Sequence, residues 1–224
     1  MTSPAPTDTL VLVPTELEHA RLVDLGGFGG APLEIAGFGP AAAGARTSQL
    51  LARRSPARVL LVGIAGAYDV ERHPVGTALA FARVAIHGIG AGRGDSFQSP
   101  PRLGFPQWPG SDDTTAPVHD LLDLAAPAGA TELLLTTCAA SDSPEHAAER
   151  RARFPEAAAE DMEGFSVALA CALHRVPLAI VRGISNEVGD REPSHWRIPA
   201  ALAAARRVAQ DLLETDGSWP TSGA

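Results

Sequence analysis

Strand-length apolar runs that recur along the chain, with helix-patterned segments between them, constrain this sequence more than any other feature. The runs are "TLVLV" (9–13), "RVLLVGIAG" (58–66), "ALAFARVAI" (78–86), "ELLLTT" (132–137) and "PLAIVRGIS" (177–185), with "LEIAGF" (33–38) weaker. Several are continuous instead of alternating, which is the pattern of strands covered on both faces. Helical spacing fills 15–25, 41–54, 115–126, 144–154, 163–175 and 199–215. Such alternation predicts an α/β fold: a single domain with a central mixed, mostly parallel sheet flanked by helices. The 224 residues suit one core, placed at 9–215 between solvated tails at 1–8 and 216–224.

Charge narrows what the domain can bind. A formal net charge of -8 lacks the basic footprint that phosphate backbones or anionic lipid demand, so neither nucleic acid nor membrane is an expected partner. The two cysteines, Cys138 and Cys171, sit in apolar contexts without a thiol or histidine at ligand spacing. They read as reduced core residues, and no metal or cofactor is expected. The opening residues have no basic segment before a short apolar run, so a cytoplasmic location is expected. The Gly- and Pro-rich stretch from Gly88 to Asp113 is too long for a simple connection and reads as a functional or mobile loop. Its G-x-G-x-G-x-G spacing opens no helix, which argues against a dinucleotide loop.

Four stretches place polar chemistry at strand ends, where open α/β sheets bind ligands. In "VPTELEHA", Glu16 and Glu18 follow the first run; Glu16 is assigned to helix-end stabilisation and Glu18 to a site. In "VGIAGAYD", small residues let a ligand approach the backbone. In "AAAEDMEGFSVALACAL", Asp161 reads as a helix-end acid, with Met162 and Glu163 beside it. In "RGISNEVGDR", Arg182, Ser185 and Asn186 end the last apolar run.

Taken in order, "ELE", "GIAG", "FPEAAAEDMEG" and "RGISNEVGDR" resemble the nucleoside phosphorylase superfamily. Within it, they resemble the nucleosidase branch that includes methylthioadenosine/adenosylhomocysteine nucleosidases and futalosine hydrolases. Adenine-specific members typically read R-x-I-S-D where this chain has "RGISN", and carry Ser where it has Ile64. "RGISN" followed by "VGDR" and Trp196 looks like the futalosine hydrolase pattern. The resemblance implies hydrolysis of a 6-oxopurine nucleoside bearing an aromatic carboxylate, in a bacterial route to menaquinone. It also implies a homodimer or larger homo-oligomer. A methylthioadenosine, adenosylhomocysteine or aminodeoxyfutalosine nucleosidase is the alternative, followed by a phosphorylase, for which Arg93 is the nearest phosphate ligand, and by a silent nucleoside binder.

The same resemblance implies a division of labour. Glu18 is the general base toward water; Glu163 binds the ribose hydroxyls and faces the cationic sugar; Asn186 donates to N7 and O6 of the leaving base. Arg182 holds the water or pairs with Glu18, or is a structural ion pair. Ile64, Ala65, Gly66, Met162, Phe97 and Ser185 are expected to contact substrate, with Arg102 and Phe105 as further candidates for its aromatic carboxylate. Phe165 and Trp196 are assigned to packing.

Overall fold

The computed structural model describes residues 8–111 and 116–214; apart from Asp8, the expected tails lie outside them. Nine strands and six helices alternate along these residues. β1 (Thr9–Val13), α1 (Glu16–Asp24), β2 (Leu33–Ile35), α2 (Gly39–Arg54) and β3 (Arg58–Ala67) form the first half of the core. β4 (Ala78–Ala80), β5 (Arg83–His87), the short α3 (Pro100–Leu103) and β6 (Leu121–Asp123) follow. β7 (Leu133–Thr137), α4 (Pro144–Arg153), β8 (Ala157–Asp161), α5 (Gly164–Leu173), β9 (Leu178–Glu187) and α6 (Ile198–Glu214) complete the chain.

The strands form one mixed, mostly parallel sheet. β1 lies parallel to β2 and β3, β3 to β9, and β7 to β5 and β8. The antiparallel pairs are β3 with β8, β4 with β9, and β5 with β6. Because β4 pairs with β9 and β5 with β7, the segment they form joins the sheet's two arms. β3, β9, β4–β5, β7 and β8 therefore close on one another. α2 and α5 pack together on one face, and α6 runs along β9 and β3 on the other. Every residue of β1, β7 and β8 is buried, as are nine of the ten in β9; continuous apolar runs need cover on both faces, and here they have it.

Four expectations need correction. The 115–126 region, spaced like a helix face, contains the edge strand β6, in which Leu121 is exposed while Leu122 packs against the core; antiparallel hydrogen bonding to β5 imposes the extended backbone. Strand β8, "AAAED", was not foreseen, because three alanines favour helix in isolation, yet the slot between β7 and β3 imposes extended backbone. The single strand expected at 78–86 is two, parted at Phe81 and Ala82, where the segment turns from β9 toward β7. Cys171 is buried as expected, whereas Cys138 is exposed just past the end of β7.

Candidate active site

The carboxyl ends of β1, β3, β8 and β9 meet at one cavity of about 410 Å³. It lies where these folds place ligands, because parallel strands turn into helices there and leave backbone amides and short side chains facing a crevice. Pro14 and Thr15 follow β1; Ile64, Ala65 and Gly66 end β3; Glu160 to Glu163 lead from β8 into α5; Ser185 and Asn186 end β9. Phe38, Leu17, Trp196 and Ile198 add apolar wall, and Arg191 a cation.

Glu18 owes its orientation to the start of α1. Thr15 is the N-cap and Glu18 the third helical residue, forming a reciprocal capping box. Carboxylate oxygen Oε2 accepts from Thr15 N (3.1 Å) and Thr15 Oγ1 (2.6 Å), while Oε1 accepts from Ile64 N at 3.0 Å. The side chain is thus buried, fixed and directed at the end of β3. Glu16 is exposed in the same helical turn. The T-x-x-E spacing of the capping box was present in "PTELE" and separates the two acids on physical grounds.

Arg182 lies beneath the cavity instead of lining it. It is fully buried and donates from Nε (3.1 Å) and Nη2 (2.5 Å) to Asp161 Oδ2, with Glu163 Oε2 at 3.4 Å from Nη2. Burial alone would lower its pKa, but Asp161, Glu163 and Glu18 together raise it, so the guanidinium stays charged. Its path requires Gly63: a Cβ there would lie 2.2 Å from Arg182 Nη1 and 2.7 Å from Glu18 Oε1. Asp161 also accepts from Thr136 Oγ1 and from Gly164 N at the start of α5. The helix-end reading of Asp161 describes that last contact; the pairing with Arg182 gave no local signal in sequence.

Glu163 stands at the N-cap of α5 with Met162 beside it. Oε1 accepts from Gly39 N, 2.9 Å away at the start of α2. Burial pushes its carboxyl up, Arg182 pulls it down and Asp161 pushes it up again, leaving a pKa of about 7.

Asn186 is held in one orientation. Its Oδ1 accepts from Ser185 Oγ at 2.7 Å, and Nδ2 donates to the Glu187 carbonyl at 2.7 Å. A flipped amide would set two oxygens against each other, so the assignment follows from the contacts. One Nδ2 hydrogen is therefore committed to the chain. Only the other, with Asp190 O distant at 3.5 Å, remains for a ligand, so the pair of free donors expected from sequence is reduced to one.

The long loop contributes differently from expectation. Phe97 and Arg102 line a separate cavity with His87 and Phe154, Arg153 lies over the Phe97 ring, and Phe105 is 73% exposed. Arg93 is not among the residues lining the 410 Å³ cavity. Phe165 is core, as assigned, whereas Trp196 faces the cavity with Arg191 over its ring at 4.9 Å. Sequence reasoning also missed Ser141 and Glu160, which line the cavity.

Comparison with known proteins identifies the family. Residues 33–215 match the model of the phosphorylase superfamily. The futalosine hydrolase of Streptomyces coelicolor is 36% identical over 194 residues, spanning 84% of this chain and 80% of that protein. The futalosine hydrolase of Thermus thermophilus is 31% identical over 229 residues, spanning 93% and 96%. A 5'-methylthioadenosine/S-adenosylhomocysteine nucleosidase of Tolumonas auensis is 29% identical over 79% of this chain and 77% of its own. In fold, the chain is similar to the Colwellia psychrerythraea 5'-methylthioadenosine/S-adenosylhomocysteine nucleosidase solved with adenine. The TM-score is 0.74 at 21% identity, over 95% of this chain and 96% of that one. The native futalosine hydrolase of Helicobacter pylori gives 0.69 at 15% identity, over 91% and 96%. With a matching superfamily model and relatives above 30% identity over most of its length, the chain belongs to the phosphorylase superfamily and, within it, to the futalosine hydrolase family.

Proposed function

We propose that this chain hydrolyses the N-ribosidic bond of futalosine, releasing hypoxanthine. The observation that carries the reading is the fixed amide of Asn186: its oxygen accepts from Ser185 and one N–H donates to Glu187, which leaves the second N–H, 3.5 Å from the Asp190 carbonyl, for a base. That donor suits the N7 and O6 acceptors of a 6-oxopurine. A 6-amino group would meet a second donor there, which disfavours the adenine nucleosides of the alternative reading.

Cleavage passes through a cation-like sugar. Glu18, fixed by Thr15 and Ile64, is the general base that takes a proton from water as its oxygen bonds to C1'. Glu163 accepts hydrogen bonds from the ribose hydroxyls and sets its charge beside the developing cation. Met162 packs against the sugar. The C1'–N9 electron pair leaves with the purine, whose charge the Asn186 N–H stabilises; Asn186 supplies no proton, and the base takes one from solvent. Arg182 acts through Asp161 and Glu163, holding the two carboxylates in register. For the aromatic carboxylate, the wall formed by Phe38, Leu17 and Trp196 with Arg191 replaces the loop residues considered from sequence. A homodimer and a cytoplasmic location belong to the same reading; light scattering tests the first.

Replacing the base tests the scheme. Glu18→Gln is expected to lower single-turnover hypoxanthine release from futalosine by about 10²–10⁴-fold while retaining nucleoside affinity. Undiminished turnover would remove Glu18 from the role.

A further inference from the structure

Glu160 and Asp161 are consecutive on β8, so their side chains leave opposite faces of the strand. Asp161 turns to Arg182, and the chemistry above accounts for it. Glu160 turns the other way, into a buried network of its own. Its Oε2 accepts from Tyr68 OH (2.7 Å), Ser141 Oγ (2.9 Å) and Arg150 Nη1 (3.0 Å). Arg150 is tied in turn to the Ala139 carbonyl at 2.8 Å. Glu160, Ser141, Arg150 and Tyr68 are 6%, 2%, 6% and 8% exposed, so this arrangement is a built feature of the interior.

The two oxygens of Glu160 are not equally occupied. Oε2 has three donors, whereas among the described residues Oε1 has one, Ser141 N at 2.7 Å. A carboxylate oxygen offers about two lone-pair sites. One acceptor position on Oε1 is therefore unused, in a residue that lines the cavity.

The sheet sets this acceptor beside Asn186. Gly66 on β3 is paired on one side with Glu160 and on the other with Asn186. Residues directly opposite in neighbouring strands share a face, and a Cβ built on Gly66 would lie 3.3 Å from Asn186 Nδ2. A donor and an acceptor thus flank one glycine on the cavity side. The edge of a 6-oxopurine presents acceptors at N7 and O6 and then a donor at N1–H. The edge of a 6-aminopurine presents an acceptor, a donor, and then an acceptor at N1, which would set a lone pair against the carboxylate.

We propose that Glu160 is a specificity-determining residue: its Oε1 accepts the N1–H of a 6-oxopurine while Asn186 donates to the N7/O6 side, and Tyr68, Ser141 and Arg150 hold Glu160 in place. This rests on the purine nucleosidase reading and deepens it, since base choice is then made at both ends of the purine edge. A site that leaves a buried acceptor facing a lone pair rejects the wrong base more strongly than one that merely lacks a contact.

The test compares kcat/KM for futalosine and its 6-amino counterpart in the wild type and in Glu160→Gln, with melting curves for both proteins. The expected result is a loss of about 10–100-fold on futalosine, with no parallel loss on the 6-amino substrate, so that the preference collapses. An equal loss on both substrates, or an unchanged ratio, would overturn the role. Should Glu160→Gln fail to fold, Tyr68→Phe removes one donor to Oε2 and is expected to shift the same ratio in the same direction; no shift would count against the proposal. A wild type that cleaves futalosine while the variants keep its preference would sink the Glu160 role alone. A wild type that cleaves neither substrate would sink the functional reading with it.

Discussion

At the scale of single residues, the cavity concentrates negative charge and then controls it. Glu18, Glu160, Asp161 and Glu163 are all buried there, and the buried cations Arg150 and Arg182 answer them. The Glu163 carboxyl is raised to about 7. Its raised value means that the folded protein binds this proton more tightly than the unfolded chain. The resulting stability is fully present below the ordinary value of 4.5 and is lost as pH rises through about 7. Without ligand, Glu163→Gln should therefore raise the melting temperature by several degrees at pH 8 and little at pH 4.5, since a shift of this size corresponds to about 3 kcal/mol. A variant destabilised at both pH values would show that Glu163 supports the fold as a charged group. In catalysis the sign is opposite, because the ionised form faces the sugar cation: kcat/KM should fall tenfold per unit below pH of about 7. A profile flat from pH 5 to 8 would contradict that role.

At the scale of elements, helix starts position the acids. The first turn of α1 fixes Glu18, and the starts of α2 and α5 meet at Glu163. Thr15→Ala should cost about 1 kcal/mol through loss of the cap. It should also lower kcat about tenfold with little change in KM, because Glu18 loses the hydroxyl that orients it while the binding surfaces stay. Equal changes in kcat and KM would mean that the cap serves only the helix. Gly63→Ala brings a methyl against Arg182 and Glu18 at once. It is expected to destabilise by about 1–3 kcal/mol in denaturant melts and to suppress turnover; wild-type behaviour in both would show that the guanidinium path has slack. The elements legible in sequence were those whose own periodicity matches their place: β1, β3, β7, β9 and the longer helices. β8 was illegible because alanine has no strand preference of its own, and its neighbours impose the conformation. With β8 unseen, the opposite directions of Glu160 and Asp161 could not be inferred. That Phe97 lines a different cavity was illegible for a related reason: no local pattern shows where a long loop returns to the body of the fold.

At the scale of the whole molecule, the closed arrangement of β3, β9, β4–β5, β7 and β8 brings four strand ends to one cavity. Residues far apart in sequence, such as Gly39 and Glu163, become hydrogen-bond partners. Fold class was readable because alternating apolar runs and helical segments leave few other layered solutions. Glu18, Ile64, Ala65, Gly66, Met162, Glu163, Ser185 and Asn186 all reach the cavity, since strand ends can be read from where apolar runs stop. Arg182 lies just below, and the Ser141–Glu160–Arg150 cluster was missed because its members join only through the sheet. The central claim is hydrolysis of futalosine by water, and isotopic oxygen tests it most directly. Incubation with futalosine in ¹⁸O-labelled water without phosphate should release hypoxanthine and place one ¹⁸O on the anomeric carbon of the sugar product. Release that requires phosphate, or adenine from methylthioadenosine with futalosine untouched, would contradict the account.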